Sequence, residues 1–342
     1  MQIQENFSLK AHNTFGIDTH AKFFSTFRNT EELTELLAQN PGLRTLILGG
    51  GSNILFIKDF DGIVLKNEIK GIEVVKQDTE SIYVKVGGGE NWHQFVLHCI
   101  ENNWAGVENL SLIPGNTGAS PMQNIGAYGV EIKEVFHELK AFHIDEKSNY
   151  TFGLKDCEFG YRESIFKSRY KDQFVILNVV FKLSKKPTFN VKYGAIEQEL
   201  EKMGVKELTI KDISQAVINI RSSKLPDPKV IGNAGSFFKN PSVAKQKFDQ
   251  LKIDFPGTVG YENADGSVKL AAGWLIEQCG PRDFVSWKGF RDGDAGVHAK
   301  QALVLVNYNN AKGDEIYNLS GKIIESVQSK FGVTLEREVN II

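Results

Sequence analysis

The run Ile113-Pro114-Gly115-Asn116-Thr117-Gly118-Ala119-Ser120-Pro121-Met122-Gln123-Asn124-Ile125-Gly126-Ala127-Tyr128-Gly129 constrains the possible folds of this chain more than any other feature. Its prolines and glycines break both helix and strand, so it must form a long loop. Loops of this length are uncommon inside a compact domain unless they have a function. Small side chains and abundant backbone donors suit it to wrap a large, flat, phosphorylated molecule. The alternative is an Ω-loop that merely packs on itself. Two shorter glycine clusters precede it, Gly49-Gly50-Gly51-Ser52-Asn53 and Gly87-Gly88-Gly89. Without a β-carbon, a turn can bring its backbone N–H groups close to phosphate. The dinucleotide pattern G-x-G-x-x-G fails because Ile54 stands where its third glycine belongs, and no P-loop occurs. Taken alone, 49–53 reads more readily as a tight turn after a strand.

The rest of the chain mixes helix and strand without a regular βαβ alternation, which predicts an α+β fold rather than a doubly wound one. The patterns predict a capped helix from Thr30, a strand over 44–48, short strands over 54–57 and 62–66, and sheet over 71–89. They predict a helix from Asn91 to about Glu101, strands over 139–144 and 174–183, and helices over 191–204 and 212–224. Lys224-Leu225-Pro226-Asp227-Pro228-Lys229 is a stiff joint and a candidate domain boundary. Beyond it come helical stretches over 242–252, 271–278 and 314–330, a strand over 302–306 and a terminal strand over 333–342. Three divisions are expected, 1–70, 71–220 and 221–342.

Composition excludes several classes. Forty basic against 42 acidic residues give a net charge of −2, which offers no global attraction for nucleic acid or an anionic membrane. Cys99, Cys157 and Cys279 are far apart and odd in number, so neither a disulfide framework nor a metal-ligand spacing is expected. No apolar run reaches the roughly 18 residues of a membrane span, and the first residues lack a signal-peptide pattern. The expectation is a cytoplasmic chain without metal.

Specific motifs go further. Pro114-Gly-x-x-Gly-x-x-Pro-x-Gln-Asn-Ile-Gly-Ala-Tyr-Gly, Tyr161-Arg162-Glu163-Ser164, Gly232-Asn-Ala-Gly-Ser-Phe-Phe-Lys-Asn-Pro and Leu335-Glu-Arg-Glu-Val resemble the UDP-N-acetylenolpyruvoylglucosamine reductase family. That family lies within the vanillyl-alcohol-oxidase-like FAD-binding superfamily. The resemblance runs from Asn13-Thr14-Phe15-Gly16 to Glu338 and implies a two-subdomain FAD-binding module followed by an α+β substrate domain. It implies non-covalent FAD held by Gly49, Gly50, Gly51, Ser52 and Asn53. The second cofactor loop would use Pro114, Gly115, Gly118, Ser120, Gln123, Asn124, Gly126 and Tyr128.

By the same likeness the reaction is reduction of a UDP-sugar enolpyruvyl ether, with NADPH as co-substrate, in peptidoglycan precursor synthesis. Hydride reaches the methylene carbon, charge spreads into the carboxylate, and a proton must arrive at the adjacent carbon. The resemblance implies Arg162 as partner of the carboxylate, Ser236 as proton donor and Glu338 as their helper near a returning tail. Tyr193 would cover the substrate, as in the longer of two family subtypes, while Lys224 and Asn240 would contact the UDP diphosphate. Without it, Arg162 reads as a surface ion pair with Glu158 or Glu163, and Ser236 as a serine in a glycine-rich turn. The family usually has Arg where Asn340 stands. A monomer is expected, with NADPH and substrate using one site in turn. The competing readings are another FAD-dependent sugar or alcohol oxidase or dehydrogenase, or an inactive nucleotide-sugar sensor.

Overall fold

The computed structural model describes residues 2–281 and 284–342. They form two compact units. The first comprises residues 2–7, 21–51 and 61–223, and the second 8–20, 52–60 and 224–342. Two segments of the first seventy residues thus pack with the C-terminal part. Hydrogen bonds from a backbone N–H and from a side-chain amide explain one of them. Asn233 donates its N–H to Thr14, and the Asn307 amide donates to the Phe15 carbonyl at 2.9 Å.

The first unit holds two sheets. One orders the strands Gln4–Ser8, His20–Phe27, Phe60–Asn67 and Thr45–Leu48, the last two running parallel with Leu48 opposite Lys66. The other is antiparallel and orders Ser148–Gly153, Phe136–His143, Phe174–Ser184, Ser81–Gly87 and Ile72–Gln77. Phe174–Ser184 lies at its centre and is apolar on both faces, as a strand covered on two sides must be. Helix α1 (Thr30–Gln39) starts because the Asn29 side chain accepts from Glu32 N, with Glu31 and Glu32 in the positive first turn. Helix α2 (Trp92–Glu101) is capped by Asn91 in the same way and buries Trp92, Phe95 and Val96 against the five-stranded sheet. Helices α3 (Gly194–Met203) and α4 (Ile210–Lys224) enclose a small separate core of Ile196, Leu200, Ile213, Val217 and Ile220.

The second unit contains helices α5 (Lys245–Asp254), α6 (Ala272–Glu277) and α7 (Gly313–Phe331). Its larger sheet orders Gly232–Asn233, Leu305–Asn307, Ala295–Val297 and Arg291–Asp292. A three-stranded sheet orders Ser242–Val243, Val268–Leu270 and Gly260–Glu262. Helix α7 buries Ile316, Leu319, Ile323 and Val327, the stripe expected from its three- and four-residue steps. Among the described residues, no helix is long and apolar enough to cross a membrane.

Several local expectations need correction. The sheet expected over 71–89 is present, and within it the Asp78 carboxylate accepts from Glu80 N and Ser81 N and turns the chain into a hairpin. Residues 242–252 are not one helix, since Ser242 and Val243 pair with Lys269 and Val268 before α5 begins. The terminal strand shrinks to Asn340–Ile341, parallel to Ile54–Leu55, and the 302–306 strand shifts to Leu305–Asn307. The 191–204 helix starts at Gly194, with Tyr193 at its N-cap position, and the 212–224 helix starts at Ile210. The long loop is not structureless. It contains a 3-10 turn at Thr117–Ala119 and a small hairpin pairing Gly126–Ala127 with Val130–Glu131.

Candidate active site

In the first unit the glycine clusters fit into one another. A β-carbon on Gly50 would lie 2.8 Å from Gly115 Cα, and one on Gly118 would lie 2.9 Å from both Gly88 Cα and its carbonyl oxygen. One on Gly49 would meet Asn116 Cβ at an ordinary 3.6 Å. Backbone bonds fix the contact. Gly118 N donates to Gly88 O, Thr117 N to Glu90 O and Trp92 N to Gly115 O. The Gly87-Gly88-Gly89 cluster, which carried no expected site role, is therefore the bed of the loop. A β-carbon on Gly88 would itself sit 2.5 Å from Ile176 O. The result is a rim with little side-chain cover, where Gly50, Pro114 and Ala119 are exposed.

Not every loop residue faces outward. The Ser120 hydroxyl donates to Thr117 O. Fully buried Asn124 donates to Glu131 and to Gly160 O, and accepts from Lys133 N. These two side chains hold the loop's shape. Thr117 Oγ1, in contrast, is buried with no hydrogen-bond partner among the described residues, beside Gly118.

Arg162 occupies a bend in which Gly160 and Glu163 exchange backbone bonds, and its own φ of 56° lies in the left-handed region. Its guanidinium donates to Gly126 O at 2.7 Å and lies 5.4 Å from the Tyr161 ring centroid. Glu158 instead pairs with Arg169 at 2.9 Å. Nearby, the sequence reading missed Arg221 on α4, which donates to Leu112 O and interacts with the Tyr128 phenol. Burial, with the charge of Arg162 adding to it, pushes the Arg221 pKa down. Burial raises the Tyr128 phenol against the pull of Arg221. The Tyr128 and Tyr193 rings meet edge to face at 5.4 Å, which joins the long loop to the start of α3. Arg162 and Arg221 are near enough to feel each other's charge, and guanidinium groups so placed favour an anion. The only sequence signal for Arg221 was its place three residues before Lys224.

His93 also went unnoticed. Its Nδ1 accepts from Leu112 N at 3.0 Å, a bond only the neutral ring can make. Burial, then the charge of Arg221, lowers its pKa. The unfolded chain therefore binds the proton more readily, so this residue's contribution is complete above the ordinary histidine value and is lost as pH falls below it. Urea denaturation of the full chain should show a lower midpoint at pH 5.5 than at pH 7.5. His93→Gln, which keeps an acceptor that does not titrate, should narrow the gap; an unaltered gap would clear His93 of the effect.

In the second unit, a strip from Gly232 to Asn240 carries Ser236. Gly235 adopts a φ of 70°, and its N–H is held by the Asn233 side chain. Phe237 and Phe238 are buried and anchor the strip, each worth about 1.5–3 kcal/mol. The chain terminus runs antiparallel to it. Glu338 N donates to Phe237 O at 2.8 Å and Lys239 N to Glu336 O at 2.9 Å. Glu338, half-buried, is thus held opposite the neighbour of half-buried Ser236. The Asn53 amide donates to the Glu338 carbonyl, and Asn340 donates back to the Asn53 carbonyl. Asn240 Oδ1 accepts from Ala272 N at the start of α6, so its oxygen is occupied within the fold. Lys224 is exposed at the end of α4. This unit therefore brings Asn53, Ser236 and Glu338 together, while the first gathers Gly126, Tyr128, Arg162 and Tyr193.

The three cysteines are buried and unpaired, and burial pushes the Cys157 thiol up to about 12. Among the described residues, no group of His, Cys, Asp and Glu could hold a metal ion.

The profile of the FAD binding domain matches residues 21–145, and that of the UDP-N-acetylenolpyruvoylglucosamine reductase C-terminal domain matches 227–342. The UDP-N-acetylenolpyruvoylglucosamine reductase of Flavobacterium johnsoniae is 51% identical, with full coverage of both chains. That of Pseudomonas syringae pv. tomato is 49% identical over all of this chain and 99% of its own length. The crystal structure of the Thermus caldophilus reductase shares the fold at 21% identity, with a TM-score of 0.69 over 100% of this chain and 99% of that one. The chain belongs to the UDP-N-acetylenolpyruvoylglucosamine reductase family.

Proposed function

We propose that this chain reduces UDP-N-acetylglucosamine enolpyruvate to UDP-N-acetylmuramate, with NADPH as reductant, and that Arg162, Ser236 and Glu338 carry the substrate half of the reaction. Family membership supports the reaction; the antiparallel run that sets Glu338 against the Ser236 strip supports the roles.

The residues fit FAD. The exposed backbone rim at Gly50, Pro114 and Ala119 and the unsatisfied Thr117 hydroxyl suit a flat, phosphorylated group. Gly49, Gly50, Gly51, Ser52 and Asn53, with the loop from Pro114 to Tyr128, would hold it. When bound, FAD supplies the two-electron relay from NADPH to the methylene carbon of the enolpyruvyl ether.

Addition of hydride there leaves an electron pair on the neighbouring carbon, shared with the substrate carboxylate. Arg162 binds that carboxylate through its planar fork. Glu338 polarises the same group from the tail. Ser236 delivers the proton to the carbon, so one hydride and one proton are added across the double bond. Tyr193 covers the substrate, and Lys224 with the NH2 of Asn240 holds the diphosphate. On this reading 1–70, without the segments 8–20 and 52–60, and 71–220 are the two FAD subdomains, and 221–342 with those two segments is the substrate domain. The chain works as a cytoplasmic monomer, with neither nucleic acid nor membrane as partner.

The test is the visible spectrum. Under anaerobic conditions the yellow chain should bleach with NADPH and recolour with the enolpyruvyl sugar nucleotide. Recolouring by oxygen but not by that substrate would point to an oxidase; binding without any colour change would point to a sensor.

A further inference from the structure

We propose that Arg337 and Lys239 are positioning residues that aim the Glu338 carboxyl, an inference that rests on the role given to Glu338 above. The tail around Glu338 is held far more tightly than its retention requires. Buried Leu335 and Val339 already pin it to the core on either side. In addition, each polar residue from 336 to 338 has its own anchor. Glu336 binds Lys239 through its carboxylate at 2.6 Å and through its carbonyl to the Lys239 N–H at 2.9 Å. The Lys239 side chain is only 9% exposed, although Glu336 is 70% exposed, so the lysine, not the glutamate, is the fixed member.

Arg337 turns to α7. Its Nε donates to Ser320 Oγ at 2.7 Å, and its guanidinium lies 4.4 Å from the Tyr317 ring centroid. Ser320 is fully buried, and its hydroxyl donates to Tyr317 O, so the acceptor cannot rotate away. A fork bonded at one edge and stacked on one face has a single orientation. Residues 336 and 337 are thereby locked to two different supports, the Ser236 strip and α7. The backbone direction at Glu338 follows, and Asn53 and Phe237 hold its carbonyl and N–H. A long glutamate side chain needs such a base, because reacting groups misplaced by about 1 Å can lose on the order of a hundredfold in rate.

The experiment uses the flavin-loaded full chain. Flavin absorbance counts folded sites, NADPH reduces them, and mixing with the enolpyruvyl substrate gives the rate of reoxidation. Arg337→Met and Lys239→Met should each slow reoxidation on the order of tenfold while leaving reduction by NADPH within about twofold. Placed in a Glu338→Gln background, Arg337→Met should add less than about twofold, because it acts only through Glu338. Ser320→Ala, nearly neutral in volume, should slow reoxidation with the same dependence on Glu338. It carries the comparison if Arg337→Met fails to retain flavin. Equal slowing in both backgrounds, or no slowing at all, overturns the positioning role alone. If Glu338→Gln itself reoxidises at the parent rate, the role of Glu338 falls first and the inference falls with it.

Discussion

Ser236→Ala should still bleach with NADPH but recolour with the enolpyruvyl substrate about 10²–10⁴ times more slowly, the usual range for removing a positioned proton donor. That corresponds to roughly 3–5 kcal/mol of lost transition-state stabilisation. Folding should hardly change. Ser236 is half-buried in a strip anchored by Phe237 and Phe238, and removing one hydroxyl there costs about 1 kcal/mol or less. Stopped-flow absorbance of the two half-reactions separates the cases. Slowing confined to the second supports the proton-donor role, whereas a slowed first half-reaction would move Ser236 to the handling of NADPH or flavin.

Gly118→Ala should yield a folded but largely colourless chain. Its β-carbon would stand 2.9 Å from Gly88, and the two residues are already tied by Gly118 N to Gly88 O. Gly88 is itself tied down, because its N–H donates to Leu177 O at 2.7 Å. Overpacking of this kind costs about 1–3 kcal/mol and moves the backbone. The shift falls on the rim proposed to carry FAD. Gly49→Ala meets only an ordinary contact at 3.6 Å and should retain most of its flavin. Flavin-to-protein absorbance ratios for the two variants test the ordering. Equal ratios would mean that loop interlock does not govern cofactor retention.

These glycines also illustrate what can be read without a structure. Their density announced a backbone surface, yet their pattern matched no single phosphate motif. The reason is now plain: Gly50, Gly88 and Gly118 serve contacts between loops distant in sequence, and a local motif cannot express that. Elements with local signals were legible. Asn91 capped α2 and the apolar stripe of α7 buried as its spacing required. The very short strands Ser242–Val243 and Arg291–Asp292 were missed, because two residues carry no periodicity and pair only with partners supplied by tertiary contact. The same holds for Arg221 and His93, whose significance lies in what surrounds them.

The α+β class, the long glycine-rich loop and the family could all be read from runs of contiguous residues. That segments 8–20 and 52–60 pack with the C-terminal unit, and that the terminal run lies antiparallel to the Ser236 strip, emerged from the fold alone. It alone turned Arg337 toward α7. Those outcomes depend on hydrogen bonds and buried surfaces between residues up to hundreds of positions apart, and no local pattern of side chains fixes which such partners will meet.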